Sequence, residues 1–349
     1  ISDIFLRRRA AYLYLAGLLL TVTVVYGCLR LNRIENTEAL KISVIQGNIP
    51  QESKWNPRAR EFVMERYFKL TAQALKDAPD LIIWPEASLP VIPEEEPVYY
   101  ERLQRFTKTL GRPLLFGAVT RRNELYYNSA LLLSKEGKLL ERYDKLHLVP
   151  FGEYIPFRNA LRFLETIAPI GDIASGKDFT LFEAQRHRFG VLICFEDVFP
   201  ELARDFVNKG ADFLVNITND AWFGKTSEAY QHLAASVFRA VENRVYLVRA
   251  ANTGVSGFIT PQGKTVSLVN DGQGNLIFTS GFKTQDIFVH GQPSFYRTWG
   301  DFLIALCFFS LLFLAVFSLY KKAMKKVLLI LLFIVSGYCV ISFYFIDKY

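Results

Sequence analysis

The sequence predicts a layered α/β domain preceded by one apolar helix and followed by two. Three observations carry this. Short β-type apolar runs alternate with helical periodicity across residues 33–298, which argues for stacked layers rather than a bundle. Three runs without charge, at 10–29, 302–320 and 327–346, each approach the roughly 20 residues that a helix needs to cross a bilayer. Basic residues flank those runs: Arg7, Arg8 and Arg9 before the first, and Lys321, Lys322, Lys325 and Lys326 between the second and third. By the positive-inside rule both clusters lie in the cytoplasm, so residues 33–298 and the extreme C-terminus share the opposite side. The organisation expected is therefore 1–32, an N-terminal flank and membrane helix; 33–298, the catalytic body; and 299–349, two membrane helices joined by a basic loop.

Composition agrees. Of 349 residues, 51% are hydrophobic, high for a protein dissolved wholly in water. The net charge of +7 would suit nucleic acid, but the basic residues sit beside apolar runs, so they read as topology signals. The chain begins with Ile1 rather than a methionine and reads as a fragment or a processed product, and a cleaved signal peptide is the alternative for 10–29. Cys28, Cys307 and Cys339 fall within the apolar runs, leaving Cys194 as the one cysteine in the polar body, so neither a disulfide framework nor a cysteine zinc site is expected. His147, His187, His232 and His290 lack metal-ligand spacing, so no metal or other cofactor is expected.

Within the body, KISVIQ (41–46) reads as a strand broken by Gly47-Asn48-Ile49-Pro50. Residues 59–76 carry Val63, Tyr67, Leu70 and Ala74 at helical spacing. DLIIW (80–84) is a buried strand ended by Pro85, with Glu86 immediately after it, and strands continue at 113–119, 126–133 and 139–143. The segment 143–156, YDKLHLVPFGEYIP, is too rich in Pro and Gly for an element interior and too apolar for a solvated loop. The apolar stretch 157–173 reads either as a lipid-facing flap or as a loop packed on its own domain. Next come a strand ending at Cys194, a helix at 199–208, a strand at 212–217, a helix at 228–243, and strands at 245–249 and 256–259. Tyr296 and Trp299 lie where an aromatic belt meets lipid headgroups.

Three strands end in a reactive group: Glu86, Lys145 and Cys194. Singly they have ordinary readings, as a helix cap, a surface charge and a small buried hydrophobe. Together they form a chemical unit, in which a carboxylate takes the thiol proton, a thiolate attacks a carbonyl, and an ammonium stabilises thiolate and oxyanion.

The segments WPEAS (84–88), YDKLHLVPFGEYIP and ICFED (193–197) resemble the Glu-Lys-Cys motifs of the nitrilase superfamily, and more narrowly those of the apolipoprotein N-acyltransferases. VIQGNIPQESKW (44–55), NDAWFG (219–224) and RAANTGVSGFITPQG (249–263) extend the match. The resemblance implies a four-layer α-β-β-α sandwich flanked by transmembrane helices, held at the outer face of the bacterial cytoplasmic membrane. It implies Glu86 as general base, Lys145 as oxyanion stabiliser and Cys194 as the nucleophile that forms a thioester with a phospholipid acyl chain. The acceptor implied is the α-amine of a diacylglyceryl-cysteine at the N-terminus of an apolipoprotein. Glu153 matches a supporting glutamate that orients Lys145, and Trp55, Asn128, Phe195, Glu196 and Trp222 match positions lining or bracing the site. Phe195 stands where a tyrosine is common, and only one apolar run precedes the body where the family has several. A membrane-anchored amidase using the same three residues, and an inactive scaffold, are the alternatives.

Overall fold

The computed structural model describes residues 2–31, 39–155, 173–289 and 293–320. The chain divides into two compact units, Ile1–Arg297 and Thr298–Tyr349. The first opens on helix α1 (Ser2–Leu31) and continues through strand β1 (Ala39–Gln46), the one-turn helix α2 (Gln51–Lys54), helix α3 (Arg60–Ala74), strand β2 (Leu81–Ile83), helix α4 (Pro97–Leu110) and strands β3 (Leu114–Arg122), β4 (Leu125–Leu133) and β5 (Leu139–Asp144). Strands β6 (Leu181–Ala184) and β7 (His187–Ile193), helix α5 (Pro200–Asn208), strand β8 (Phe213–Thr218), helix α6 (Glu228–Asn243) and strands β9 (Leu247–Ala251), β10 (Gly257–Ile259), β11 (Thr265–Val266) and β12 (Gly281–Phe288) follow. The short helix α7 (Phe295–Trp299) comes next, and α8 (Phe302–Tyr320) lies in the second unit.

Two six-stranded sheets result, ordered β12-β1-β2-β3-β4-β5 and β11-β10-β9-β8-β7-β6. Each has three parallel strands at its centre, β1-β2-β3 and β7-β8-β9, and antiparallel strands outside them. The alternation of side chains along a strand explains how the layers stack. Ile42, Val44, Leu81, Ile83 and Leu115 point into one core with the second sheet, while Ile45, Ile82, Trp84, Leu114 and Phe116 point the other way, onto Val63, Met64 and Tyr67 of α3 and Leu103 of α4. On the far side of the second sheet, Leu202 and Phe206 of α5 and Ala240 of α6 complete the first core. The order is therefore helices, sheet, sheet, helices.

Elements beyond the sequence expectation are α2, α4, α7, β6, β11 and β12. In α4 the buried positions are only Leu103, Thr107 and Leu110, too few to stand out among its charges. Strand β12 pairs with β1 along eight positions, from Ala39↔Phe288 to Gln46↔Gly281, although GFKTQDIF buries only Ile287. Such an edge strand is made by its partner rather than by its own apolar pattern.

The expectation of flanking membrane helices is corrected in one respect. Helices form over both 10–29 and 302–320, but among the described residues no helix is long and apolar enough to cross a membrane. The flap at 157–173, apart from Ile173, and the third apolar run at 327–346 lie outside the described residues.

Gly190 in β7 lets α5 press directly onto the second sheet, since a Cβ there would stand 2.6 Å from the Phe206 ring. Gly190→Ala is expected to lower stability by ~1–3 kcal/mol through overpacking, read as a fall in the midpoint of thermal or urea unfolding.

Candidate active site

The parallel strands of both sheets deliver polar residues at their C-terminal ends, where open α/β sheets place ligands. Strand β1 runs into α2 and Lys54, β2 into Glu86, β7 into Cys194, β8 into Asn219 and Asp220, and β9 into Asn252. Asn252 ties the two sheets together at this rim: its side chain accepts from Ile49 N at 2.8 Å and donates to Ile49 O at 2.7 Å and to Asn219 Oδ1 at 2.9 Å.

Glu86 follows Trp84 and Pro85 and is 8% exposed. Its neighbour Ala87 adopts φ +44°, and the turn lies flush on β3, because a Cβ on Gly117 would stand 2.6 Å from both Glu86 Cα and Ala87 N. Asn128 Nδ2 donates to Glu86 Oε1 at 2.7 Å and to Glu153 Oε1 at 2.9 Å, joining the two carboxylates. Lys145, 1% exposed, donates to Glu153 at 3.0 Å (Oε1) and 2.9 Å (Oε2). Burial alone would pull the Lys145 ammonium down. The negative charges of Cys194 as a thiolate and of Glu86, Glu153 and Glu196 outweigh burial and hold it above the ordinary lysine value.

Cys194 begins a short 3-10 turn, Cys194–Val198, directly after β7. Its φ is +53°, a left-handed conformation costing a non-glycine residue ~1–3 kcal/mol. The residue is half-buried. Burial pushes its thiol well up, the Glu86 charge adds to that, and Lys145 opposes it. The resting sulfur is thus protonated at neutral pH, with a carboxylate and an ammonium as its strongest charged neighbours.

Glu196 anchors this turn rather than facing substrate. Fully buried, it accepts from Ile193 N (2.7 Å), Leu146 N (2.7 Å), His147 N (3.0 Å) and the Tyr143 hydroxyl (2.9 and 3.0 Å). One carboxylate thereby bolts the end of β7 to the end of β5, fixing Cys194 relative to Lys145. Burial pushes Glu196 up to about 7, against the pull of those donors. Below the turn, His232 donates to Asp197 Oδ1 and Asp220 Oδ1, both at 2.9 Å, and Arg249 reaches Asp197, Asp220 and Asn216 at 3.1, 3.2 and 2.6 Å.

Of the residues expected from sequence, Glu86, Lys145, Cys194, Glu153, Asn128 and Glu196 fall in this cluster. Phe195 packs edge-on against Phe199, with ring centroids 5.4 Å apart. Trp55 and Trp222 are 44% and 72% exposed and bond to none of the three central groups. Sequence reasoning missed Lys54, 2% exposed, whose ammonium donates to the Glu86 carbonyl at 2.8 Å. Burial pulls Lys54 down to about 8, against Glu86 and Cys194. The signal was its place just beyond a strand end. The buried pairing of His232, Asp197 and Arg249 was also missed. Among the described residues Asp220, Glu228 and His232 lie close enough to hold a cation. Both His232 ring nitrogens already donate to carboxylates, so the ring has no lone pair to give.

A carbon-nitrogen hydrolase family model matches residues 41–284, the span that contains every group just described. The chain belongs to that family. As a carbon-nitrogen hydrolase it is similar to the apolipoprotein N-acyltransferase of Geobacter metallireducens, 40% identical over 83% of this chain and 56% of that protein. Those of Rickettsia prowazekii (33% identical; 83% and 58%) and Agrobacterium fabrum (35%; 90% and 61%) are also similar. The chain thus spans little more than half the length of these relatives. Among solved structures, an amidase from Nesterenkonia sp. matches with a TM-score of 0.55 at 19% identity, over 76% of this chain and 94% of that one, which establishes the fold.

Two outcomes follow for this site. Gly117→Ala, which must displace the Glu86 turn, is expected to lower stability by ~1–3 kcal/mol through overpacking, read as a fall in the midpoint of urea unfolding. Burial pulls His232 down, but Asp197 and its hydrogen bonds lift it from 6.5 to about 10. Its contribution to stability is complete below pH 6.5 and is lost as pH rises toward 10. The melting temperature should therefore decline across that window, and His232→Gln should flatten the decline.

Proposed function

We propose that this domain carries out N-acyl transfer from a phospholipid to a lipoprotein through a thioester on Cys194. The observation that carries the reading is the meeting of Glu86, Lys145 and Cys194 at one rim, each held by buried partners, in a chain similar to apolipoprotein N-acyltransferases over most of its length. In the first half-reaction Glu86 takes the Sγ proton as sulfur attacks the ester carbonyl, and the negative oxygen forms beside Lys145. Collapse breaks the acyl C–O bond, Glu86 returns the proton to the departing alkoxide, and a lysophospholipid leaves. In the second half-reaction the α-amine of a diacylglyceryl-cysteine attacks the thioester and yields a proton to Glu86. Sulfur leaves as the C–S bond breaks and recovers a proton, which regenerates the thiol. The protonated resting thiol explains why a base is needed, since attack and proton removal must occur together.

Glu153 orients Lys145 in this scheme, Asn128 spaces the two carboxylates, and Glu196 fixes the nucleophile turn. Trp55, Phe195 and Trp222 form the apolar approach for the acyl chain. Work at the outer face of the bacterial cytoplasmic membrane fits the lipid donor. It also fits the exposed apolar side chains of α8, among them Leu303 (57%), Ile304 (67%) and Phe309 (64%). Hydrolysis of small amides with the same three residues is the second reading, favoured by the fold shared with the Nesterenkonia amidase.

Incubation of the natural full-length protein with phospholipid labelled in its acyl chain separates the two. Acyl transfer predicts a hydroxylamine-sensitive label on Cys194, absent from Cys194→Ala and reduced ~10²–10⁴-fold in rate by Glu86→Gln. Turnover of small amides with no acyl label would instead establish the amidase.

A further inference from the structure

The nucleophile's backbone is gripped from below by groups the reaction scheme does not use. The Cys194 carbonyl oxygen faces two donors, Asn216 Nδ2 at 3.1 Å and His232 Nε2 at 3.3 Å. Neither donor is free to turn away. Asn216 is 0% exposed, and its Oδ1 is held by Arg249 Nη1 at 2.6 Å. His232 is clamped between Asp197 and Asp220, Asp220 takes Thr218 Oγ1 at 3.0 Å, and Ser236 donates to Asp197. Gly254 closes over this cluster so tightly that a Cβ there would overlap Asp220 Oδ2, at 1.8 Å. The four ionised members, Asp197, Asp220, His232 and Arg249, balance two negative charges against two positive ones, which suits their complete burial.

A peptide group is planar and trans, so holding the Cys194 C=O fixes the direction of the Phe195 N–H, which points away from the buried cluster. We propose that His232 is a positioning residue for the nucleophile: with Asn216 it holds the Cys194–Phe195 peptide in the left-handed turn that presents both the thiol and the Phe195 N–H to a substrate carbonyl. The inference rests on the reading of Cys194 as nucleophile and adds a cause for its geometry. It also supplies a nearby cation. The thiol faces Glu86 on the β2 side, Lys145 on the β5 side, Lys54 on the α2 side and Asp220 on the β8 side. His232 faces Asp197, Asp220, Arg249 and, at 3.9 Å, Glu228 of its own helix. Loss of the imidazolium leaves Asp197 and Asp220 with Arg249 as their shared counter-charge, so a net negative charge faces Cys194 and disfavours the thiolate.

The test uses the full-length protein and reads two rates near neutral pH: iodoacetamide alkylation of Cys194 and formation of the acyl-enzyme from labelled phospholipid. His232→Gln is expected to slow both about tenfold or more, with the KM for phospholipid unchanged, the pattern expected when an interaction serves the transition state alone. The double variant His232→Gln/Asp220→Asn, which restores charge balance, should recover the alkylation rate while acyl-enzyme formation stays slow. A packing role alone would not give that rescue. Should the single variant fail to fold, the double variant decides by its acylation rate. A folded His232→Gln with both rates within twofold of the parent, or a double variant that acylates like the parent, overturns the proposal. A parent that alkylates at Cys194 yet never takes an acyl label would instead remove the transfer reading and leave the alkylation comparison intact.

Discussion

The arrangement of this site depends on one buried carboxylate. Glu196 gathers three backbone N–H groups and a tyrosine hydroxyl from two different sheets. Left unpaired in the core, any of those donors would cost ~1–3 kcal/mol, so the ends of β5 and β7 have one low-energy way to meet. The consequence is geometric: Lys145 and Cys194, which lie 49 positions apart in sequence, are set against each other by a residue that touches neither side chain. Asn252 plays the equivalent part between β1 and β9, and through β1 it brings Lys54 beneath Glu86.

Charge balance is the second constraint. Lys145 and Lys54 are almost wholly buried, and each is tolerated because carboxylates lie beside it. The cluster around His232 repeats the solution with two acids and two bases. Two polar assemblies therefore lie on opposite sides of a single turn. Buried polar networks of this kind are coupled internally, so changes to one member are expected to reach Cys194.

Much of this was legible in the sequence, and what escaped has physical causes. Buried parallel strands such as DLIIW and DFLVNI announce themselves because both faces are apolar, and they end in the groups that the fold collects. Helix α6 was readable to its ends. Strand β12 was not, because an edge strand takes its structure from the neighbour it pairs with. His232 looked like an isolated histidine, since its partners Asp197, Asp220 and Arg249 come from three other elements. Lys54 was hidden by the ordinary appearance of a lysine in a polar turn. Spacing finds groups that share an element and misses those that meet only through topology. The apolar runs at the termini show the converse: helix formation over 10–29 and 302–320 was readable, whereas among the described residues no helix is long and apolar enough to cross a membrane.

The left-handed backbone of Cys194 also bears on how such a chain drifts. Glycine at this position would satisfy the turn without strain, so selection for folding alone favours replacing the cysteine. A lineage that had become a passive scaffold would be expected to relax at this residue before most others, since one substitution both relieves strain and removes an oxidisable sulfur. On the reading of Cys194 as nucleophile, position 194 is the first place to look when judging whether a related chain still performs chemistry.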